Sequence, residues 1–306
     1  MRIRLRQYAF WWIGLAFLIL AKLQHLTRGY RTPRAFSAAD TERSIDYVRR
    51  EVAEWQAALI RYGEPQRPFA GRRILELGPG PDLGVGVALL ANGATSYAAM
   101  DVHELAYGEY GDYYPRLLTA LGTSPELTVE LQAAVTAARQ GNPLERLEYR
   151  VRPDFDLVDA FRGRRFDLFV SQAAFEHFDD IERTIASLSR LAAADARLVF
   201  GIDFKTHSRW VGDKDVDPLS IYRYSDWLYR LLSFRGIPNR RPYSAYAAAL
   251  AANGWTDLRY FDESSVDPET FAQVRPHLQP QFRADENRLL WIMLCARRAA
   301  PSAPAT

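Results

Sequence analysis

The sequence predicts an α/β fold built on a doubly wound, mostly parallel sheet. Three observations lead there. The stretch from Ile74 to Asp101 reads as strand, glycine turn, helix and strand. Its strands are continuous apolar runs, as expected for strands covered on both faces. Further apolar runs then alternate with helix-length segments as far as residue 298. At 306 residues the chain suits one large domain with appendages. Apolar content of 48% and charged content of 25% are ordinary for a globular protein. A net charge of +2 argues against nucleic-acid binding through a large basic surface. The single cysteine, Cys295, excludes an intramolecular disulfide and a Cys-rich zinc site. No histidine and cysteine spacing suggests a metal site, so none is expected.

Residues 1–35 form the first segment. Arg2, Arg4 and Arg6 precede an apolar run from Tyr8 to Ala21, and Lys22, His25, Arg28, Arg31 and Arg34 follow it. The apolar core of about 14 residues is short for a straight membrane span, which needs about 20. The paired Trp11 and Trp12 beside arginines suit a lipid headgroup region. A helix lying in the membrane surface is the preferred reading. A helix folded onto the rest of the chain and a true span stay open. Residues 36–70 read as a helical lead-in: Ser37 or Asp40 can cap it, and Ile45, Val48, Val52, Trp55, Leu59 and Ile60 recur at helical spacing.

The core domain is placed at residues 71–298. Ile74 to Leu77 reads as a buried strand, broken by Gly78-Pro79-Gly80. Pro81-Asp82-Leu83-Gly84 leads into a helix from Val85 to Leu90, which Asn92-Gly93 stops. Ser96 to Met100 is the second strand and ends on Asp101. Glycines let backbone amides approach a ligand closely, and the helix behind them favours electron-rich groups. An acid about 20 residues on can accept from both hydroxyls of a ribose. This is the physics of nucleotide binding. The dinucleotide pattern G-x-G-x-x-G needs a third glycine where this chain has Leu83.

The run E-L-G-P-G-x-x-x-G, Glu76 to Gly84, resembles motif I of the class I S-adenosylmethionine (SAM)-dependent methyltransferases. The resemblance implies a Rossmann-like seven-stranded sheet and SAM as cofactor. It places Glu76, Gly78 and Gly80 beside the methionine part of SAM and Asp101 on its ribose. Asp82, Leu83, Gly84 and Val102 join the expected cofactor contacts as neighbours of those positions. A nicotinamide-dependent oxidoreductase is the alternative enzyme, and a non-catalytic membrane-associated scaffold with the same fold is the alternative outside enzymes.

Tyr107 to Tyr114 follows, then two helical stretches, the second from Pro125 to Arg139; together they read as an insertion over the cofactor edge. Tyr107, Tyr110, Tyr113 and Tyr114 either line an acceptor pocket or pack as an aromatic cluster. Leu147 to Val151 is the third strand, and the resemblance places Asp154 and Phe155 beside the adenine ring. Arg165 to Ser171 is the fourth strand, with Ser171 at the cofactor edge. The run F-D-L-F-V-S-x-x-A-F-E-H-F resembles the family's motif after that strand, with Glu176 and His177 at the active face. A helix from Asp180 to Ala193 leads to the fifth strand, Arg197 to Phe204.

Asp203 and His207, four apart at the tip of that strand, are the best place for a general base, because a histidine titrates near working pH. His177 is a third candidate. Methyl transfer by positioning alone, with no base, also stays open. Residues 208–242 interleave aromatics with arginines and close on Asn239-Arg240-Arg241, which the resemblance makes a lid over the acceptor. A helix from Tyr243 to Asn253, a sixth strand from Trp255 to Phe261, a polar insertion at 263–286 and a seventh strand from Leu289 to Ala296 complete the domain. The resemblance runs the seventh strand antiparallel beside the fifth, with the sixth outside it. Residues 299–306 are small and proline-containing and are expected to be disordered. The expected activity is methyl transfer from SAM to an oxygen or nitrogen of a small-molecule, lipid or glycan acceptor. The expected location is the cytoplasmic side of a membrane, with a soluble cytoplasmic protein as the alternative; the oligomeric state is left open.

Overall fold

The computed structural model describes residues 2–29, 36–108, 110–142, 145–207 and 217–299. The expected tail at 299–306, apart from Ala299, lies outside them, as do residues 208–216 of the expected lid. The helices are α1 (Arg2–Arg28), α2 (Thr41–Tyr62), α3 (Gly84–Ala91), α4 (Tyr113–Ala120), α5 (Pro125–Arg139), α6 (Leu157–Ala160), α7 (Ile181–Leu191), α8 (Asp226–Leu232), α9 (Tyr243–Ala252) and α10 (Pro268–Val274). The strands are β1 (Arg73–Leu77), β2 (Ser96–Asp101), β3 (Leu147–Val151), β4 (Phe166–Gln172), β5 (Ala192–Asp203), β6 (Trp255–Ser265) and β7 (Leu289–Arg298).

They form one seven-stranded sheet in the order β3-β2-β1-β4-β5-β7-β6. The first five run parallel, and β7 pairs antiparallel with both β5 and β6. The order reverses at β1 and β4, where an open α/β sheet leaves a crevice outside the carboxyl ends of its strands. Alternate residues of the strands feed two cores. Ile74, Tyr97, Ala99, Leu168 and Val170 pack with α2 to α5 on one face, while Leu75, Leu77, Ala98, Phe169 and Phe200 pack with α6, α7 and α9 on the other.

A third core lies off the sheet. Leu18 of α1 packs with Leu219, Ile221, Tyr222, Tyr224 and Tyr229, and with Phe271, Val274, Leu278 and Phe282. The segment expected as a polar insertion therefore supplies four of the ten buried residues of a hydrophobic cluster. Phe271, Val274, Leu278 and Phe282 recur three and four apart, the first two on α10 and the others in the turns that follow it. Two boundaries also differ. β5 begins at Ala192, before the expected Arg197, and β6 continues to Ser265, beyond Phe261. Asp40 precedes α2, but its side chain makes no cap and pairs with Arg43 at 2.6 Å.

Helix α1 is longer than the expected apolar core, its stretch Leu5–Thr27 being long and apolar enough to cross a membrane, yet it docks along one face. Gln7, Gly14 and Leu18 are buried, with Trp11, Leu15 and Lys22 partly so, the spacing of one helical stripe. The Gln7 side chain accepts from the buried Arg223 guanidinium at 2.7 Å, the Trp11 carbonyl accepts from Tyr224 Oη at 2.9 Å, and Lys22 Nζ donates to the Ser233 carbonyl at 2.6 Å. Contacts from residue 7 to residue 22 cover about 22 Å of helix at 1.5 Å per residue. On the opposite side Leu5, Tyr8, Trp12, Ile13, Ile19, Leu20, Leu23 and Leu26 are exposed, Trp12 at 64%.

Candidate active site at the strand ends

The carboxyl ends of β1, β2, β4 and β5 carry the expected site residues to one edge of the sheet. After β1 the chain turns at Gly78 (φ 71°) and Gly80 (φ 77°), both in the left-handed region that favours glycine. A Cβ at Gly78 would stand 2.7 Å from the Ala174 side chain, whereas Gly80 faces open space. The first glycine is needed for packing against the loop after β4; the second leaves room for a ligand.

Four carboxyls surround this turn. Glu76, on β1, is buried and accepts from Tyr97 Oη at 2.6 Å. Burial, with Asp82 and Asp101 nearby, pushes its carboxyl up to about 8 despite the tyrosine hydrogen bond. Asp82 accepts from Tyr113 Oη and from the Gly84 amide, both at 2.8 Å, and burial raises it. Asp101, 7% exposed at the tip of β2, accepts from the His103 amide at 3.0 Å and is also raised by burial. Glu51, from α2, is buried and pushed well above the carboxylate range, first by burial and then by Glu76. The sequence reading passed over Glu51, since an acid inside an apolar helical stripe is the only signal it offers. Four acids raised by burial make a cleft that gains from receiving a cation.

The tyrosines of 107–114 brace this turn. Tyr110 Oη donates to the Pro81 carbonyl at 2.5 Å, Tyr114 Oη accepts from the Leu83 amide at 3.1 Å, and Tyr113 holds Asp82. All three are buried and in mutual ring contact. Of the two readings left open, the packed cluster describes them; Tyr107 is half-exposed against Tyr149. Leu83 is fully buried, and Gly84 starts α3 under Tyr113. Val102 is half-buried beside Asp101.

Asp154 and Phe155 follow β3 at the same edge. Asp154 is exposed and held by the Arg152 guanidinium at 3.0 and 2.8 Å, which keeps its carboxyl down at about 2. Phe155 adopts a left-handed φ of 49° and packs on Phe178, ring centroids 4.9 Å apart. Ser171 is fully buried, and its hydroxyl donates to the Leu77 carbonyl at 3.1 Å, tying β4 to β1.

Beside this cleft, after β4 and β5, lies a second group. The Asp203 carboxylate accepts from the Lys205 amide at 2.9 Å, with Lys205 Nζ at 3.3 Å and His207 Nε2 at 3.7 Å. The His207 and His177 rings stand 4.9 Å apart, edge to face. Burial, then His207, lowers His177 to about 4, so it is neutral near pH 7. Glu176 has a side chain only 3% exposed, its Oε1 lies 3.9 Å from His177 Nε2, and burial holds it well above the carboxylate range. The turn at Asn239, in the segment expected as a lid, fixes this loop: the Asn239 amide donates to the Glu176 carbonyl at 2.7 Å and Asn239 Nδ2 to the Phe178 carbonyl at 3.0 Å. Arg240 (φ 58°) buries its guanidinium against the Ile221 and Tyr224 carbonyls and over the Tyr229 ring. Arg240 is thus a structural anchor, and Asp203, His207 and His177 come together as one cluster.

A family description, a methyltransferase domain, matches residues 103–200. The match begins after Asp101, so the glycine turn lies outside it. No curated protein sequence matches significantly. Among solved structures, an S-adenosylmethionine-dependent methyltransferase from Mesorhizobium loti is 16% identical, covering 75% of this chain and 92% of its own, with a TM-score of 0.40. Phosphoethanolamine N-methyltransferase 2 from Haemonchus contortus is 14% identical, covering 81% of this chain and 52% of its own, with a TM-score of 0.44.

Proposed function

We propose that the chain, in which residues 103–200 match a methyltransferase domain, is a SAM-dependent methyltransferase of the class I fold and that it methylates an oxygen or nitrogen of an acceptor presented at the cytoplasmic surface of a membrane, a lipid or a glycan under assembly. The observation that carries the membrane-surface part is the two-faced α1. One face is bound to the lid from Gln7 to Lys22, and the other presents a continuous apolar stripe. A helix held alongside the body over about 22 Å cannot stand across a bilayer without drawing the lid in with it. Buried in that lid is the Arg223–Asp217 ion pair, 2.7 Å long, and charges are costly in hydrocarbon. The arrangement suits a helix lying in the interface with its outer face in the lipid. Exposed Trp227 and Leu231 on α8, packed beside α1, border a shallow concavity with Arg230 and enlarge the apolar surface.

In this reading the cofactor occupies the acid-lined cleft. Gly78 and Gly80 let it approach the backbone, Asp101 accepts from its ribose, and Glu76 faces its cationic methionine part. Asp82, Leu83, Gly84, Val102 and Ser171 hold the turn in shape, and Asp154 and Phe155 border the adenine. Bound there, SAM would supply a methyl group to the acceptor's lone pair, the carbon–sulfur bond breaking to give S-adenosylhomocysteine. The acceptor's proton passes to His207 or Asp203, with His177 beside them.

Sedimentation with vesicles tests the location. The full chain should co-sediment with vesicles of mixed zwitterionic and anionic phospholipid, and Trp12→Glu with Leu20→Glu should release it while leaving the thermal midpoint within a few degrees. Wild-type protein that stays in the supernatant would remove the membrane from the proposal.

A further inference from the structure

We propose that Glu176, His177 and His207 form a site for one divalent transition-metal ion on the acceptor side of the cleft, whose open positions take the oxygen atoms of the acceptor. The inference deepens the methyltransferase reading and rests on it only for the role of the site, not for the site itself. Sequence spacing gave no hint of a metal, because His207 lies on a different strand end from the adjacent Glu176 and His177. The fold brings one ligating atom from each of the three to within 4.8 Å of the others. Ligands sharing an ion at about 2.0–2.2 Å stand about 3–4 Å apart, so small side-chain rotations close the site.

The second observation is independent of that proximity. Both carboxylate oxygens of Glu176 and Nδ1 of His177 are buried and meet no described residue in full hydrogen-bond geometry, although the Asp203 backbone lies near the carboxylate and the Gly236 and Ile237 backbone near the imidazole. A buried polar atom left unpaired costs about 1–3 kcal/mol, and more for a charged group. Here three such atoms from adjacent residues lie together. They point to a ligand that accepts lone pairs from oxygen and nitrogen at once, which is the chemistry of a metal ion.

Two imidazoles and one carboxylate form a donor set for zinc, manganese, iron or cobalt rather than for magnesium or calcium, which prefer oxygen. Three protein ligands leave positions open, as at catalytic rather than structural sites. Asp203 supplies the outer shell. An imidazole has two nitrogens, so the approach of His207 Nε2 to Asp203 Oδ2 orients the ring and leaves the other nitrogen for the ion. Lys205, beside Asp203, balances the excess negative charge. The lid turn holds the Glu176 backbone through Asn239, which fixes the least mobile ligand. An oxygen acceptor bound to such an ion would lose its proton more readily, to Asp203 rather than to a metal-bound His207, and be held at a set angle to the methyl group. This favours acceptors with a hydroxyl beside a second oxygen, such as a vicinal diol, a hydroxy acid or a catechol-like ring.

The test uses the full chain in detergent micelles, stripped with EDTA and titrated calorimetrically with Co2+ and Mn2+. One saturable site per chain is expected, with visible absorption bands in the Co2+ form. Glu176→Gln and His207→Ala should each weaken binding at least tenfold. His207 is half-exposed and its removal leaves the core intact, so this variant decides the matter if Glu176→Gln does not fold. S-adenosylhomocysteine binding is measured on the same samples. Metal binding without S-adenosylhomocysteine binding would keep the site and remove its catalytic role. Absence of saturable Co2+ and Mn2+ binding in the wild type, or unchanged binding in His207→Ala, would overturn the proposal.

Discussion

Glu76 shows what burial does to a single side chain. In the cleft its carboxyl is raised to about 8, so near pH 7 the folded chain holds a proton that the unfolded chain, with an ordinary carboxyl, has released. This group's contribution to stability is therefore fully present at low pH and falls as pH rises toward 8. A cationic ligand reverses the preference, because a positive charge beside a carboxyl favours its ionised form. SAM binding should accordingly expel a proton between about pH 5 and 8, and affinity should increase with pH across that window. Calorimetry in two buffers of different ionisation enthalpy measures the proton directly. Glu76→Gln should abolish the release, whereas Asp101→Ala should weaken binding at least tenfold; a release that survives in Glu76→Gln would assign it to another of the four acids.

Elements are held by pairs of side chains whose partners lie far apart in sequence. Arg223 is the clearest case: its guanidinium is 2% exposed, bonds Asp217 at 2.7 and 3.1 Å, and receives the Gln7 amide oxygen from α1. Removing one member of a buried pair leaves an uncompensated charge and costs about 3–5 kcal/mol. Arg223→Met should lower the thermal midpoint strongly and loosen α1 from the lid. Gln7→Ala removes a hydrogen bond to a charged group and should cost about 1–2 kcal/mol. Equal effects of the two substitutions on thermal denaturation would show that the α1 contact, rather than the ion pair, holds the lid.

The whole molecule divides its labour among three cores. Two sandwich the sheet and position the strand ends, while the third joins α1, the lid and the α10 region. Deleting residues 1–28 would strip Leu18 from the third core and bare Ser220 and Tyr224, yet touch neither sheet core. The shortened chain should unfold at a lower temperature and lose vesicle binding, while keeping SAM affinity within about threefold of the full chain. A large loss of SAM affinity would mean that the lid core and the cofactor cleft are coupled.

The strand-turn-helix-strand unit, the acid at Asp101 and the order of elements could be read from the chain, because each depends on neighbours within a few residues. Apolar runs record burial on both faces, and Gly78 and Gly80 record backbone angles. The same local logic located the helices, with boundary errors where an end is set by pairing, as at Ala192. What the tyrosines do was not legible, since Tyr110, Tyr113 and Tyr114 act on a loop about 30 positions earlier. Nor was Glu51, whose role comes from α2 lying over the glycine turn. The grouping of Glu176 and His177 with His207, and the division of α1 into a bound and an open face, arise only when strands β4 and β5 lie side by side and the lid closes against α1. Contacts between distant residues depend on packing, and the periodicity of a sequence marks which face is buried but not what lies against it.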